Sequence, residues 1–281
     1  MRPSARIQPA VLLTLRCLLG IACLCPKIAT AHDLQWERLA EGLAVSVWKP
    51  GAICAEVPPT LVADIDPARY RFSVHFYGQE GLDQPPTIEE WQKRTGHHLL
   101  FNAGLFRENF SYLGLLYKDG RPLSGRRHTT WQGLFVAEPT TRDGRHAGVL
   151  DLSVDAFDEH RPAYKEAAQA LMLLDRDGHV RVRQTGKRAF QTVVAETAGG
   201  HILVFKSLDP VTLYDLGACM KDGLPFIRQV MAMDGGSSSD LLIPESLWKG
   251  RGQGPSAWKS LFAGTTAIHI PLPAVIGISP R

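Results

Sequence analysis

Short apolar runs separated by polar, glycine-marked turns recur along most of the chain. Residues 43–47 alternate and are rich in valine, which predicts a strand. Residues 61–65 and 70–76 read as a strand pair about the turn Asp66-Pro67-Ala68-Arg69. Thr87 is placed to cap a helix through Arg94, with Glu89 and Glu90 in its first turn and Gly96 as its stop. Residues 99–101 read as a buried strand that delivers Asn102-Ala103-Gly104 to the surface. Residues 113–117 and 122–123 form a predicted hairpin about Lys118-Asp119-Gly120-Arg121. Strands are expected again at 133–137 and 148–154, on either side of the polar, turn-rich 138–147.

After Pro162, residues 163–170 carry helix formers and read as a helix, with 171–174 turning extended. Hairpins are predicted between 171–174 and 180–183, and between 190–196 and 202–206. Residues 210–222 form the clearest late helix, with Leu213, Leu216 and Met220 on one stripe and Gly223 as its stop. A strand at 230–233 and a closing strand at 265–270 complete the pattern. Together these elements predict an α+β fold: a single domain with a mixed, largely antiparallel sheet and flanking helices.

One stretch concentrates chemistry. The apolar residues 230–233 deliver Asp234, which is followed by Gly235-Gly236-Ser237-Ser238-Ser239-Asp240. Glycines allow positive φ and close approach of a ligand to the main chain. Successive exposed N–H groups in such a turn can bind an anion. The plainer alternative is a tight hairpin turn, for which Asp-Gly and Gly-Ser are ordinary dipeptides.

The N-terminus alters the reading of charge. Arg2 and Arg6 precede a mostly apolar stretch over 10–24, and Ala29-Thr30-Ala31 has the small-x-small form of a cleavage site. Residues 1–31 read as a signal peptide and 32–281 as the mature domain, periplasmic or secreted, with no stable membrane span. The net charge of +3 belongs to this leader, whose removal leaves 27 basic against 28 acidic side chains. A nearly neutral mature chain carries no nucleic-acid footprint. Of five cysteines only Cys54 and Cys219 remain in it. They form either one disulfide closing a long loop or two separate buried thiols. His97 and His98 lack partners at metal-ligand spacing and read as structural.

The order of motifs is more specific than any one of them. Asn102-Ala103-Gly104-Leu105-Phe106 is followed by Leu113-Gly114-Leu115 and the Lys-Asp-Gly hairpin, then Gln169-Ala170-Leu171-Met172-Leu173, then Asp234-Gly235-Gly236-Ser237. This arrangement, from about Leu43 to Ile270, resembles the phosphodiester glycosidase family, and most closely its bacterial branch. The resemblance implies that these motifs meet in one cleft. It also implies hydrolysis of a carbohydrate phosphodiester between the anomeric carbon and the phosphate oxygen. Carried over by motif, Asp234 and Asn102 are the catalytic candidates, and Gly104, Gly235, Gly236, Ser237 and Ser239 the substrate-binding ones. Many relatives place a basic residue before the second hairpin, where this chain has Phe190-Gln191-Thr192. Gln191 and the upstream Lys187-Arg188 are therefore the candidates at the phosphate, with Arg188 favoured for its bidentate geometry.

Residue chemistry fits this implication. Glycoside hydrolysis normally uses two carboxyl groups. A phosphomonoester, with a second pKa of roughly 6, leaves without much help from an acid, so one carboxylate suffices. No cofactor is expected, although a structural calcium ion is compatible with the chain. Two other readings remain: a non-catalytic module binding glycans or sugar phosphates, and a metal-dependent phosphoesterase with Asp234 and Asp240 as ligands.

Overall fold

The computed structural model describes residues 34–124, 126–249 and 269–281. The leader and most of the strand expected at 265–270 lie outside the described residues. In chain order the elements are β1 (Glu37–Ala40), β2 (Leu43–Trp48), β3 (Thr60–Ile65), β4 (Tyr70–Phe76), α1 (Ile88–Thr95), β5 (Leu99–Asn102), β6 (Leu116–Lys118), β7 (Arg121–Ser124), β8 (Gly133–Pro139) and β9 (Ala147–Asp151). There follow β10 (Tyr164–Leu174), β11 (Thr192–Thr197), β12 (Ile202–Ser207), α2 (Leu213–Gly223), β13 (Ile227–Ala232), β14 (Leu241–Leu242) and β15 (Ala274–Pro280).

The fold is mainly β, which corrects the expected α+β class. Two helices accompany fifteen strands among the described residues, and every strand pairing there is antiparallel, so the sheets are not mixed. The main cause is the segment read as a helix at 163–170, which is part of the eleven-residue strand β10. Its Ala, Glu, Gln and Leu content favours a helix locally. Three strands bond to it instead: β8 along its first half, β13 along its second, and β6 on its other edge. Tertiary pairing overrides a propensity worth a few tenths of a kcal/mol per residue.

Eleven strands form the large sheet, whose main path is β1-β2-β3-β12-β11-β13-β10-β6-β7, with β8 and β9 branching from β10. Four form the small one, in the order β14-β5-β15-β4. The expected pairing of β3 with β4 does not occur. β3 has β2 and β12 on its two edges, whereas β4 pairs with β15 in the small sheet. The Asp66 turn is a corner between sheets; Asp66 Oδ1 accepts the Ala68 N–H at 2.8 Å to hold it. The last strand of the described residues is β15.

Apolar side chains from both sheets, among them Phe72, Phe101, Ile276, Val194, Val204 and Met231, form the core between them. α2 covers the other face of the large sheet through Leu216, Cys219 and Met220. α1 covers the outer face of the small sheet through Ile88 and Trp91, against Leu100 and Val275. Thr87 and Glu90 form the capping box of α1, and Gly96 ends it in the left-handed region. Cys54 and Cys219 form a disulfide that ties the short turn after β2 to α2. No helix among the described residues is long and apolar enough to cross a membrane.

Candidate active site

Two crossings of the chain between the sheets meet at one place. The first leaves the small sheet at the end of β5 and runs through Ala103 and Gly104 towards β6 in the large sheet. The second leaves the large sheet at the end of β13 and runs through residues 233–240 to β14 in the small sheet. Asn102 and Asp234 sit at the two departures. Asn102 is 1% exposed. Its Nδ2 donates to the Asp234 carbonyl at 2.8 Å and to that of Ala103 at 3.1 Å, and its Oδ1 accepts the Asp240 N–H at 2.9 Å. The Asp234 N–H returns to the Ala103 carbonyl at 3.1 Å. The Asn102 amide thus holds both ends of the 234–240 loop through its backbone. Its contact with Asp234 is to the carbonyl, not the carboxylate.

The half-buried Asp234 carboxylate is held by its own loop. Oδ1 accepts the Gly235 N–H at 3.0 Å and Oδ2 the Ser238 hydroxyl at 2.6 Å. Burial raises its pKa above the usual aspartate value, opposed by these two bonds and by the charge of Lys187. Each oxygen keeps acceptor capacity beyond its one internal partner.

The glycines are required for different reasons. A Cβ on Gly104 would lie 2.4 Å from the Tyr112 hydroxyl and 2.5 Å from the Gln169 carbonyl. The Gly104 N–H bonds to that hydroxyl at 3.0 Å, and the hydroxyl donates to the Gln169 carbonyl at 2.8 Å. A Cβ on Gly235 would lie 2.8 Å from Gln191 Oε1. Gly236 has φ +76°, a left-handed conformation that glycine adopts without cost. The expected row of free N–H groups is largely engaged: Gly235 donates to Asp234, and Gly236 to the Phe190 carbonyl at 2.8 Å. Ser237 is exposed, while Ser239 is buried with its hydroxyl 2.8 Å from that of Thr192.

The cations separate. Arg188 is exposed; its Nη2 donates to the Pro210 carbonyl at 2.9 Å and its Nη1 lies 3.6 Å from Glu56. Lys187 is the neighbour whose charge acts on Asp234. Gln191 is buried, and its Nε2 donates to the Val211 carbonyl at 3.2 Å.

Two participants, Tyr112 and Lys206, escaped the sequence reading, which named Asp240 only as an alternative metal ligand. Tyr112 is buried, its pKa pushed well up by burial and, to a lesser extent, by the Asp234 charge. Asp240 is buried; its Oδ1 accepts the Leu241 N–H at 2.9 Å and its Oδ2 lies 2.6 Å from His269 Nδ1. Lys206 carries its ammonium 5.0 Å from the centre of the Phe190 ring, and burial lowers its pKa to about 8 against the opposing pull of Asp240. The signal for Lys206 was present, as a lone cation ending the apolar run 202–205.

Asp234, Asp240 and a third ligand do not gather within common reach among the described residues. The side chains that do are Asp175, Asp177 and His179, on the turn beyond the end of β10 that pairs with Val230.

No family model matches the chain, and no curated protein matches it in sequence. Solved structures do match. The chain is similar to the catalytic domain of zebrafish N-acetylglucosamine-1-phosphodiester alpha-N-acetylglucosaminidase, determined in a form auto-inhibited by its pro-peptide. The TM-score is 0.55 at 15% identity, over 79% of this chain and 77% of that one. It is also similar to a hypothetical protein from Synechocystis, with a TM-score of 0.54 at 12% identity, over 90% of this chain and 65% of that one. The fold therefore resembles that of a phosphodiester glycosidase catalytic domain. At these identities the likeness concerns the fold alone.

Proposed function

We propose that the protein is an exported hydrolase that releases a sugar from a glycosyl phosphodiester by breaking the bond from the anomeric carbon to the phosphate oxygen. The observation that carries this reading is the junction of Asn102 with Asp234, which fixes a half-buried carboxylate at the seam between the two sheets. The resemblance of the fold to a glycosidase catalytic domain supports it. Asp234 acts either as the base that takes a proton from water or as the nucleophile at the anomeric carbon. A raised pKa suits the first role, because a base works best when its pKa approaches the working pH. With water, the C–O bond breaks as the water oxygen joins carbon. The phosphate departs with the bonding pair, and the water proton passes to Asp234. Asn102 is a positioning residue, since it reaches the loop and not the carboxylate. Lys187 is the better placed of the two adjacent cations for the departing phosphate. Gly104 and Gly235 keep the cleft walls close, and Ser237 and Ser239 remain the loop's candidates for substrate contact.

Export is supported by the leader pattern of 1–31 and by the Cys54–Cys219 disulfide, which suits an oxidising compartment.

Asp234→Asn tests the proposal. The variant is expected to retain the melting temperature within a few degrees and to lose release of reducing sugar from an alkyl or aryl glycosyl phosphate. Undiminished turnover would exclude Asp234. Saturable sugar-phosphate binding with no product from the unmodified protein would replace the hydrolase by a binding module. Activity lost in chelator and restored by a divalent ion would replace it by a metal-dependent phosphoesterase.

A further inference from the structure

We propose that Lys206 is the anion-binding cation of this seam, holding one oxygen of a phosphate or similar oxyanion against the 234–240 loop. The inference deepens the reading of the junction as a sugar-phosphate site and rests on it. It assigns the charge to a residue far from the Lys187-Arg188 pair in sequence.

Strand alternation places the side chain. Ile202 and Val204 point into the core between the sheets, whereas Leu203 and Phe205 point towards α2. Lys206 follows Ile202 and Val204 to the inter-sheet face, at the end where that core gives way to the crossing loop. Its strand neighbour Thr192 shares that position and reaches Ser239 of the loop. The ammonium lies over the Phe190 ring, and Phe190 is 38% exposed, so this wall borders solvent. The Phe190 carbonyl in turn accepts the Gly236 N–H.

What distinguishes Lys206 is an absence of partners. Among the described residues no hydrogen bond or ion pair holds its ammonium. The carboxylate whose charge acts on it, Asp240, lies beyond ion-pair distance and bonds instead to the Leu241 N–H and to His269. Lys118, also partly buried, has Glu80 at 3.1 Å. A largely desolvated ammonium without an acceptor is costly unless something anionic supplies one. Arg188, by contrast, is exposed and already carries a carbonyl and a carboxylate.

The test is calorimetric titration at low ionic strength with sulfate, whose charge is constant from pH 6 to pH 10, and with inorganic phosphate. Lys206→Met keeps the packing on Phe190 and removes the charge. Lys206→Arg keeps the charge at all these pH values. The charged group acting on Lys206 is Asp240, with His269 behind it; Lys187, whose charge acts on Asp234 in the same loop, is controlled by Lys187→Gln. The expected result is saturable anion binding by the unmodified protein, weakened about tenfold or more in Lys206→Met, the scale of a charge-assisted hydrogen bond. Sulfate affinity should fall as pH rises through about 8, the region where Lys206 loses its proton. Lys206→Arg should bind without that fall. Anion binding absent from the unmodified protein, or unchanged in a folded Lys206→Met, would overturn the assignment. So would a fall through pH 8 that persists in Lys206→Arg. A protein that binds sulfate through Lys206 yet releases no sugar would sink the hydrolase and leave this assignment standing.

Discussion

Asn102 and Asp234 are 132 positions apart in the chain and are joined by a 2.8 Å hydrogen bond from side-chain amide to main-chain carbonyl. The same amide accepts from Asp240 six residues further on. One buried side chain therefore fixes the start and the end of the loop that carries the candidate carboxylate. Removal of either amide function leaves a buried backbone group without a partner.

The first prediction follows from that arrangement. Asn102→Ala leaves the Asp240 N–H and one acceptor site of the Asp234 carbonyl unmet, at about 1–3 kcal/mol for a buried group. Asn102→Asp keeps an acceptor for Asp240 but sets a carboxylate against the Asp234 carbonyl. Urea unfolding should show both variants destabilised by about 2 kcal/mol or more, with turnover reduced further than occupancy of the fold accounts for. A variant as stable as the parent would mean that the loop is held by other contacts.

Gly104 carries the second. Its missing Cβ accommodates a carbonyl, that of Gln169 in β10, which three flanking strands keep from moving. Gly104→Ala forces a shift in that wall or in Tyr112, with a cost of about 1–3 kcal/mol. Tyr112→Phe with Gly104→Ala should recover part of the loss, because it removes the atom 2.4 Å from the new methyl. Because Tyr112→Phe also forfeits the hydroxyl's bonds to Gly104 and Gln169, the comparison is the cost of Gly104→Ala within the Tyr112→Phe background; an unreduced cost there would place the strain on the Gln169 carbonyl.

The candidate site was legible in part, for reasons that differ between residues. Asp234 could be found because an acid between an apolar run and paired glycines is an unusual local pattern. Gly104 and Asn102 stood at the end of a short apolar strand, which predicts exposure; the structure buries both, because a second chain crossing covers them. Lys206 was passed over as the polar end of a hairpin, and only the register of β12 shows which face it takes. The class of the fold was misread chiefly at β10, where helix-forming residues occupy the most heavily paired strand. β15 escaped notice because prolines at 271 and 273 precede it and glycine interrupts it, although its backbone zips β4 to β5. Local patterns report what a segment prefers alone. They are silent about which neighbours fill its two edges.

The disulfide gives a third prediction. Cys54 and Cys219 are 165 residues apart, so the bond closes most of the domain into a loop. By chain entropy such a constraint stabilises the fold by about 4–5 kcal/mol. Cys54→Ala with Cys219→Ala, or reduction, should lower the melting temperature by about 10 °C or more in a domain of this size. A melting curve indifferent to reductant would show that the two sulfurs are not bonded in solution.

The pH dependence of stability provides the last, through two buried groups of opposite sign. Glu166 on β10 accepts the Val74 N–H at 2.7 Å and the Asp119 N–H at 3.0 Å. Burial nevertheless raises its pKa from 4.5 to about 7. The folded state then binds the proton more tightly than the unfolded one, so this contribution is full below about 4.5 and is lost as pH rises to about 7. His97 lies 2.8 Å from His75 through its Nε2 and 2.6 Å from Ser279 through its Nδ1. Burial, with the charge of His75, lowers its pKa from 6.5 to about 4. Its contribution is therefore full above about 6.5 and is lost as pH falls to about 4. Between about pH 4.5 and 6.5 the two slopes oppose, each spanning about 3 kcal/mol at most, so these two contributions largely cancel in the parent. Glu166→Gln removes one slope. Chemical denaturation at pH 4.5, 5.5 and 6.5 should show the stability of that variant rising more steeply with pH than that of the parent. A parallel pH profile for parent and variant would mean that Glu166 stays ionised in the fold across this range.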